Sequence, residues 1–150
     1  MDETDERHMA EALKLAREAL QAGEVPVGAL VVREGEVLGR GYNSPIGRND
    51  PTAHAEMLAL REAAARAGNY RLAGATMYVT LEPCPMCAGA LVQARAQRLV
   101  FGARDLRFGG VRSKFRIADS ELLNHRLEIV EGVQAAECVE LLREFFAARR

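Results

Sequence analysis

The sequence has little of what would assign the protein to a membrane, an export route or a strongly charged partner. Its 20 basic and 21 acidic residues leave a net charge of −1, so no global electrostatic attraction draws it to nucleic acid. No apolar run approaches the roughly 20 residues that span a bilayer. The acidic, amphipathic start also lacks the basic n-region of a signal peptide. We therefore expect a cytoplasmic protein that does not contact membranes.

Cysteine is scarce, with three residues in the chain and two of them only three positions apart. A small, odd number argues against a disulfide framework and suits a metal or redox site in a reducing compartment. The composition is otherwise that of a folded globular protein, with 49% hydrophobic and 27% charged residues in 150. We expect residues 1–150 to form a single domain, with no linker or repeat.

Hydrophobic periodicity alternates between helix-like and strand-like segments. Helical spacing covers residues 6–20, 52–67, 85–93 and 135–148, and strand-like runs cover residues 27–32, 36–42, 75–81, 98–102 and 126–130. Residues 44–51 are expected to form a loop and residues 117–123 a short helix. In the last helix, four residues are expected to face inward, namely Val139, Leu142, Phe145 and Phe146. The alternation predicts an α/β sandwich around a mixed five-stranded sheet.

The feature that carries chemistry is the triplet His54-Ala55-Glu56, followed after a strand by the segment PCPMC at residues 83–87. His54, Cys84 and Cys87 are donors that suit zinc, and three protein ligands leave a fourth tetrahedral position for water, as in catalytic sites. All three stand near predicted helix starts, where the positive end of the helix dipole favours thiolates. The pattern predicts an open zinc site, although spacing alone does not distinguish zinc from iron.

Glu56 lies two residues beyond the histidine, near enough to face a bound water without displacing it. A carboxylate in that place can act as a proton shuttle between the water, a ring nitrogen and a departing amine. The residues therefore predict hydrolysis of an exocyclic amine, with Glu56 as the catalytic acid and base.

The cysteine pair allows two simpler interpretations. A redox dithiol lacks any accompanying thioredoxin-like feature in the chain. A closed structural zinc site requires a fourth ligand, and the spacing of Cys138, His8 and His125 nominates none of them. Cys138 lies within the last helical pattern and is expected to be a small core residue.

Five segments extend the pattern beyond the metal motif. They are DPTAHAE at 50–56, YVTLEPC at 78–84, CAGA at 87–90, VFGARD at 100–105 and NHR at 124–126. Together they resemble the zinc-dependent cytidine and deoxycytidylate deaminase superfamily and, within it, the family of bacterial tRNA-specific adenosine deaminases. The resemblance covers nearly the whole chain. It implies a three-layer α/β/α cytidine-deaminase-like sandwich, one Zn²⁺ per chain and a homodimer.

The same resemblance implies a reaction and a binding site. The reaction is conversion of adenosine to inosine at the wobble position of a tRNA anticodon stem-loop, that of an arginine tRNA. Asn43 is implied to hydrogen-bond the flipped base, with the backbone of Ala55 near the pocket, and Asp105 to lie beside the target ribose. From the residues alone, Asn43 can also cap the loop after a strand, although base binding is the favoured interpretation, and Asp105 can equally be a helix cap or turn residue. Glu82 is expected to support the site, and His125 to be structural.

The chain departs from the family pattern after Asp105. Family members commonly carry Lys-x-Gly-Ala-Ala-Gly-Ser, whereas residues 107–113 read RFGGVRS, so that Val111 and Arg112 replace small residues. Six basic residues cluster between positions 104 and 126, namely Arg104, Arg107, Arg112, Lys114, Arg116 and Arg126. A solvated basic face explains such a cluster as well as an RNA-binding groove does.

Two other functions remain open from the sequence. One is deamination of free bases or nucleosides, such as guanine or cytosine, with the same zinc chemistry. The other is a nucleic-acid-binding protein whose zinc is purely structural. In the second case the chain would keep its function without Glu56.

Overall fold

The computed structural model describes residues 2–149. In that range five helices and five strands follow one another along the chain. They are α1 (Glu3–Gln21), β1 (Gly28–Arg33), β2 (Glu36–Tyr42), α2 (Pro45–Arg48), α3 (Ala55–Ala67), β3 (Thr76–Leu81), α4 (Pro85–Gln93), β4 (Arg98–Ala103), β5 (Glu128–Glu131) and α5 (Ala135–Ala147). None of the helices formed by residues 2–149 combines the length and the apolar character needed to cross a membrane.

The five strands form one mixed sheet in the order β2-β1-β3-β4-β5. β1 runs antiparallel to both β2 and β3, whereas β3, β4 and β5 run parallel to one another. The parallel pair β3 and β4 needs a crossover, which α4 provides. The mixed five-stranded sheet predicted from the alternation of strands and helices is confirmed.

Helices cover both faces of the sheet and bury two separate sets of apolar side chains. On one face, α3 and α4 pack against residues such as Val79 and Phe101. On the other face, α1 and α5 pack against residues such as Leu30 and Val100. The expected three-layer α/β/α sandwich is therefore confirmed, and it leaves the starts of α3 and α4 on the same side of the sheet.

Small residues let α3 lie very close to β2. A Cβ added at Gly41 would collide with the carbonyl oxygen of Ala55, in the first turn of α3, so only glycine allows this approach. Ala59 and Ala63 continue the same buried stripe of α3. The close packing fixes the beginning of α3, where His54 and Glu56 stand, against the end of β2.

The structure corrects three of the expected elements. The loop at residues 44–51 contains the short helix α2. In α5 the inward residues are Cys138, Leu141 and Phe145, while Val139 and Phe146 are exposed. The inward position of Phe145 is therefore confirmed and Leu142 is half-buried, whereas the expectation for Val139 and Phe146 was wrong.

The third correction concerns residues 117–123, which form turns rather than the expected helix. Only isolated turn bonds, from the N–H of Ser120 to Ile117 and from the N–H of Leu123 to Ser120, are local, and other backbone groups pair outside the segment. Ile117 donates its N–H to the carbonyl of Gly110, and the carbonyl of Ala118 accepts the N–H of Leu127. The Asp119 carboxylate forms a double hydrogen bond with the Arg112 guanidinium, at 2.9 and 3.0 Å. These bonds to residues outside the segment outweigh the local helical tendency.

Candidate metal centre and active-site cavity

His54 and Cys84 occupy the N-cap positions of α3 and α4. Both have extended backbones, and neither side chain bonds to the free N–H groups of its own helix, as a capping serine or aspartate would. Pro85 then supplies the first residue of α4, where its missing N–H has no cost. The two cap side chains, together with Cys87 in the first turn of α4, are left free to point at one another.

The three donors have the spacing that a tetrahedral zinc ion requires. The Nδ1 atom of His54 lies 3.5 Å from the sulfur of Cys84 and 3.6 Å from the sulfur of Cys87. Zinc bonds of about 2.3 Å to sulfur and 2.0–2.1 Å to nitrogen, at a tetrahedral angle, place those atoms about 3.6 Å apart. The donor set therefore fits one zinc ion, as the sequence predicted. Within residues 2–149 this is the one group of three or more metal donors close enough to share an ion.

The thiols of Cys84 and Cys87 differ in their tendency to ionise. The pKa of Cys84 falls to about 4, because its sulfur accepts a hydrogen bond from Cys87 and lies beside His54, which together outweigh the opposing effect of burial. The pKa of Cys87 is raised, since its thiol donates to Cys84 and is buried. The hydrogen bond to Cys84 in turn raises the pKa of His54, against the effect of burial. A thiolate at the starts of two helices is a ready place for a cation.

Glu56 lies in the first turn of α3 and is 4% exposed. Burial is the main reason that the pKa of its carboxyl is raised to about 7, and the charge of Cys84 adds to the effect. A carboxyl with such a pKa can both accept and donate a proton near neutral pH. Its placement beside the donor set agrees with the spacing argument from the sequence.

A cavity of about 250 Å³ opens over these residues. Its floor contains His54, Glu56 and Cys84. Its walls are both polar and apolar, and they are formed by Val25, Val27, Asn43, Pro45, Leu81, Glu82, Asp105 and Phe108. This volume is close to the lower end of the roughly 300–1,000 Å³ found for small-molecule pockets. The cavity has room for a single base rather than for a paired helix.

Asn43 links the end of β2 to the start of α3. Its side-chain oxygen accepts the N–H of Ala55 at 2.8 Å, which leaves the side-chain NH₂ group to face the cavity. Ala55 itself is fully buried, and its N–H is occupied by this bond. Asn43 therefore braces the first turn of α3 and lines the cavity at the same time.

Asp105 also lines the cavity, but its carboxylate has a local role. One oxygen accepts the N–H groups of Arg107 and Phe108, both at 3.1 Å. This is the turn-forming role that the sequence left open for the residue. Asp105 thereby shapes the rim of the cavity.

Glu82 is a more extensive anchor than the sequence indicated. Although only 2% exposed, its carboxylate accepts the N–H groups of Asp105, Val111, Arg112 and Ser113 at 2.7 to 3.0 Å, and the hydroxyl of Ser113. A Cβ at Gly109 would collide with this carboxylate. Burial would raise the pKa of Glu82, but the donors around it lower the pKa below its ordinary value. Glu82 thus ties the loop of residues 105–113 to the metal motif two residues away.

Replacing Glu82 by glutamine is expected to lower the free energy of unfolding by about 1–3 kcal/mol near neutral pH, because the new NH₂ group would face N–H donors. The folded-state pKa of Glu82 lies below its ordinary value of 4.5, so its contribution is present above that value and disappears as the pH falls through the folded-state pKa. Urea unfolding of both proteins between about pH 7 and pH 3 should show the difference shrinking at the acid end.

The exposed Glu121 offers a matched control in the same part of the chain. Its change to glutamine should alter the unfolding free energy by less than about 0.5 kcal/mol at any pH. Equal stability of wild type and the Glu82→Gln variant across the pH range would show that the carboxylate does not hold the loop.

Glu24 is a second buried anchor, and no sequence pattern indicates its role. Its carboxylate accepts the N–H groups of Ile46 and Gly47, at 3.2 and 2.8 Å, and so fixes α2 beside the cavity. Pro45, the first residue of α2, is part of the cavity wall. An isolated glutamate between a helix and a strand carries no local signal for such a role.

His125 and Cys138 stand apart from the donor set. The Nε2 atom of His125 lies 2.7 Å from the carbonyl oxygen of Ala96, a contact that joins two loops. Cys138 is buried among the residues between α1, α5 and the sheet. Both positions agree with the structural roles expected from the sequence.

Known proteins resemble this chain in sequence and in fold. Residues 2–103 match the family model described as the cytidine and deoxycytidylate deaminase zinc-binding region. The chain is 50% identical over 149 residues to the tRNA-specific adenosine deaminase of Haemophilus influenzae, which covers 99% of this chain and 86% of that relative.

Two solved structures extend the comparison. One, from a study of A-to-I editing by tRNA:A34 deaminases at the wobble position of transfer RNA, has a TM-score of 0.87 and 42% identity, covering 91% of this chain and 99% of that chain. The other is the guanine deaminase from Nitrosomonas europaea, with a TM-score of 0.81 and 26% identity, covering 95% of this chain and 84% of that chain.

Proposed function

This chain belongs to the cytidine and deoxycytidylate deaminase family, and we propose that it hydrolyses the wobble adenosine of a tRNA anticodon loop to inosine, releasing ammonia. The observation that carries the proposal is the buried Glu56 beside the donor set of His54, Cys84 and Cys87, at the floor of a cavity with room for one base. The arginine tRNA implied by the sequence resemblance is the substrate we propose within that class.

The residues around the cavity divide the chemistry between them. When zinc is bound, it supplies the Lewis acidity that makes a water molecule nucleophilic near neutral pH. The Glu56 carboxylate takes a proton from that water, delivers it to a ring nitrogen of the base, and later protonates the leaving amine. One water is consumed and one ammonia released, so that the exocyclic C–N bond is replaced by a C–O bond. The pKa of Glu56, near 7, supports both directions of proton transfer.

The walls of the cavity are proposed to hold and orient the base. The NH₂ group of Asn43 can donate to a ring acceptor, since its oxygen is already used by Ala55. Val25, Val27 and Leu81 supply apolar surface that excludes bulk water from the reacting atoms. At the rim, Asp105 would lie beside the ribose of the target nucleotide, where the turn that its carboxylate braces meets the RNA.

Three of the late basic residues are available for RNA phosphates. Arg104 is paired with Glu131, and both Arg112 and Arg116 are paired with Asp119. The remaining basic residues of that region have no acidic partner within residues 2–149, and they are Arg107, Lys114 and Arg126.

A base in an anticodon loop is already partly unstacked, so extruding it into the cavity costs only a few kcal/mol.

Inosine formation on a transcribed arginine tRNA anticodon stem-loop tests the proposal directly. Free adenosine, cytidine and guanine serve as parallel substrates, and a stem-loop from another tRNA with adenosine at the wobble position tests the choice of isoacceptor. We expect inosine at the wobble position of the arginine stem-loop and no ammonia from the small substrates. Turnover of guanine alone would instead favour a free-base deaminase, the alternative that the fold of the guanine deaminase supports.

We further propose that the chain works as a homodimer through the outer face of α3 and α4. That face carries an apolar groove lined by Met57, Leu60, Tyr70, Leu72, Ala90 and Ala94, and Tyr70 is largely exposed in it. A second copy would remove this apolar surface from water. Sedimentation of the wild type should give the dimer mass, and Tyr70→Arg should shift the equilibrium toward the monomer. A monomeric wild type at micromolar concentration would contradict the proposal.

A cytoplasmic location is proposed as well, supported by the tRNA substrate and by three cysteines that form no disulfide within residues 2–149. The whole of residues 1–150 is proposed to act as one deaminase domain, since β5 and α5 complete the sheet and its covering layer beyond the metal motif.

A further inference from the structure

Phe108 is an exposed aromatic side chain at the mouth of the active-site cavity. It is 60% exposed, yet it lines the same cavity as His54, Glu56 and Asp105. A single exposed apolar residue is common on protein surfaces. Here, however, the exposed ring borders the opening through which a substrate must pass.

A chain of hydrogen bonds connects the backbone of Phe108 to Glu82, which lies beside the metal motif. Its N–H donates to the carboxylate of Asp105 at 3.1 Å, and the next N–H, that of Gly109, donates to the carbonyl of Asp105 at 2.9 Å. The N–H of Asp105 in turn donates to Glu82 at 3.0 Å. An exposed ring on a backbone braced in this way is a preformed surface.

A cation stands beside this ring. The guanidinium carbon of Arg107 lies 5.6 Å from the centroid of the Phe108 ring, within the range of a cation–π contact. Arg107 has no acidic partner within residues 2–149. An aromatic face next to an unpaired arginine is the combination that binds unstacked bases and their phosphates in single-stranded RNA.

We propose that Phe108 is the stacking platform for the base adjacent to the target adenosine, and that Arg107 binds the phosphate between the two nucleotides. The inference rests on the proposed function. A nucleotide extruded into the cavity loses its stacking with both neighbours, and a neighbour held at the mouth needs another flat partner. Phe108 occupies the position where the chain can supply it, in the segment in which this sequence departs from the family pattern.

The test compares wild type with Phe108→Ala, Phe108→Trp and the control Phe146→Ala. Phe146 is also an exposed phenylalanine, but it lies on α5, which covers the opposite face of the sheet from α3 and α4. For deamination of the anticodon stem-loop, Phe108→Ala should raise KM by about tenfold to hundredfold with kcat changed by less than about threefold. Phe108→Trp should retain the wild-type KM, as should Phe146→Ala.

Stem-loops with an abasic residue on either side of the target adenosine identify the stacked neighbour. Wild type should lose affinity for one of the two abasic RNAs by about the same factor that Phe108→Ala loses on the intact RNA. On that abasic RNA, Phe108→Ala should cause no further loss. A wild-type KM for Phe108→Ala on the intact stem-loop would overturn the inference, as would an undiminished effect on both abasic RNAs.

Wild-type turnover separates this inference from the proposed function. If wild type forms no inosine in the intact stem-loop, the proposed function fails and the role of Phe108 in it fails with it. If wild type forms inosine and Phe108→Ala has the same KM as wild type, only the stacking role of Phe108 is wrong. Zinc content and thermal unfolding of each variant show whether it is folded, and an exposed side chain at a loop rim should change neither.

Discussion

Replacing Glu56 by glutamine is expected to reduce the rate of deamination by about 10²–10⁴-fold while each chain still binds one zinc ion. Glutamine has nearly the shape of glutamate but cannot carry a proton from water to the base. Glu56 is buried, and burial raises the pKa of its carboxyl to about 7 because the charged form is poorly solvated there. Its replacement by a neutral amide of the same shape should therefore leave the stability of the fold unchanged. Single-turnover kinetics on the stem-loop, with zinc measured by atomic absorption, provide the two readouts.

A second glutamate on the same helix gives the matched control. Glu62 lies in α3 but is exposed and contacts the backbone of Arg40 rather than the cavity. Glu62→Gln should deaminate at the wild-type rate. If Glu56→Gln kept both its activity and its zinc, the proton-shuttle role of Glu56 would be wrong, and another group would have to carry the proton.

The metal site was predictable because each part of it is local in sequence. His54 and Glu56 lie two residues apart, as caps and first turns require, and Cys84 and Cys87 lie three apart around Pro85. When two residues lie at the cap and in the first turn of the same helix, their spacing in sequence determines their relative positions, independently of the tertiary fold. Only the meeting of the two helix starts is long-range, and the parallel pairing of β3 with β4 around α4 leaves them on one side of the sheet.

The rim of the cavity was not predictable in the same way. The loop of residues 105–113 has no periodic pattern, and its shape comes from Glu82, which lies more than 20 residues earlier in the chain. The segment at 117–123 has a helical composition, yet it forms only turns, and its outside backbone bonds go to Gly110 and Leu127. The sequence shows charge and glycine in such a segment but does not show which buried carboxylate they surround.

The number of basic residues does not show which of them can bind RNA phosphates, because that depends on their ion pairs. The six basic residues between positions 104 and 126 are equivalent by sequence. Three of them are neutralised by acidic neighbours, Glu131 and Asp119. Arg107 lies next to Phe108 at the mouth of the cavity and has no acidic partner within residues 2–149. Its location and its unpaired charge, rather than the total charge of the chain, support RNA binding.

Removing one zinc ligand is the other change with a large expected effect. Cys87→Ser should lower the zinc content from one ion per chain to near zero and abolish deamination, because a serine hydroxyl is a far weaker zinc ligand than a thiolate. Metal bound only to the folded state also stabilises it. A chelator should therefore lower the melting temperature of the wild type but leave that of Cys87→Ser unchanged.

Cys138 makes the comparison specific, since it is a buried cysteine outside the donor set. Burial raises the pKa of its thiol to about 12, with a smaller contribution from Glu137, so it remains a neutral core residue at neutral pH. Cys138→Ala should cost some stability but keep one zinc per chain, full sensitivity to the chelator and wild-type turnover per bound zinc. Zinc binding by Cys87→Ser at wild-type affinity, or its loss from Cys138→Ala, would instead place the ion away from the starts of α3 and α4. In that event the proton-transfer role of Glu56 would lose its geometric basis.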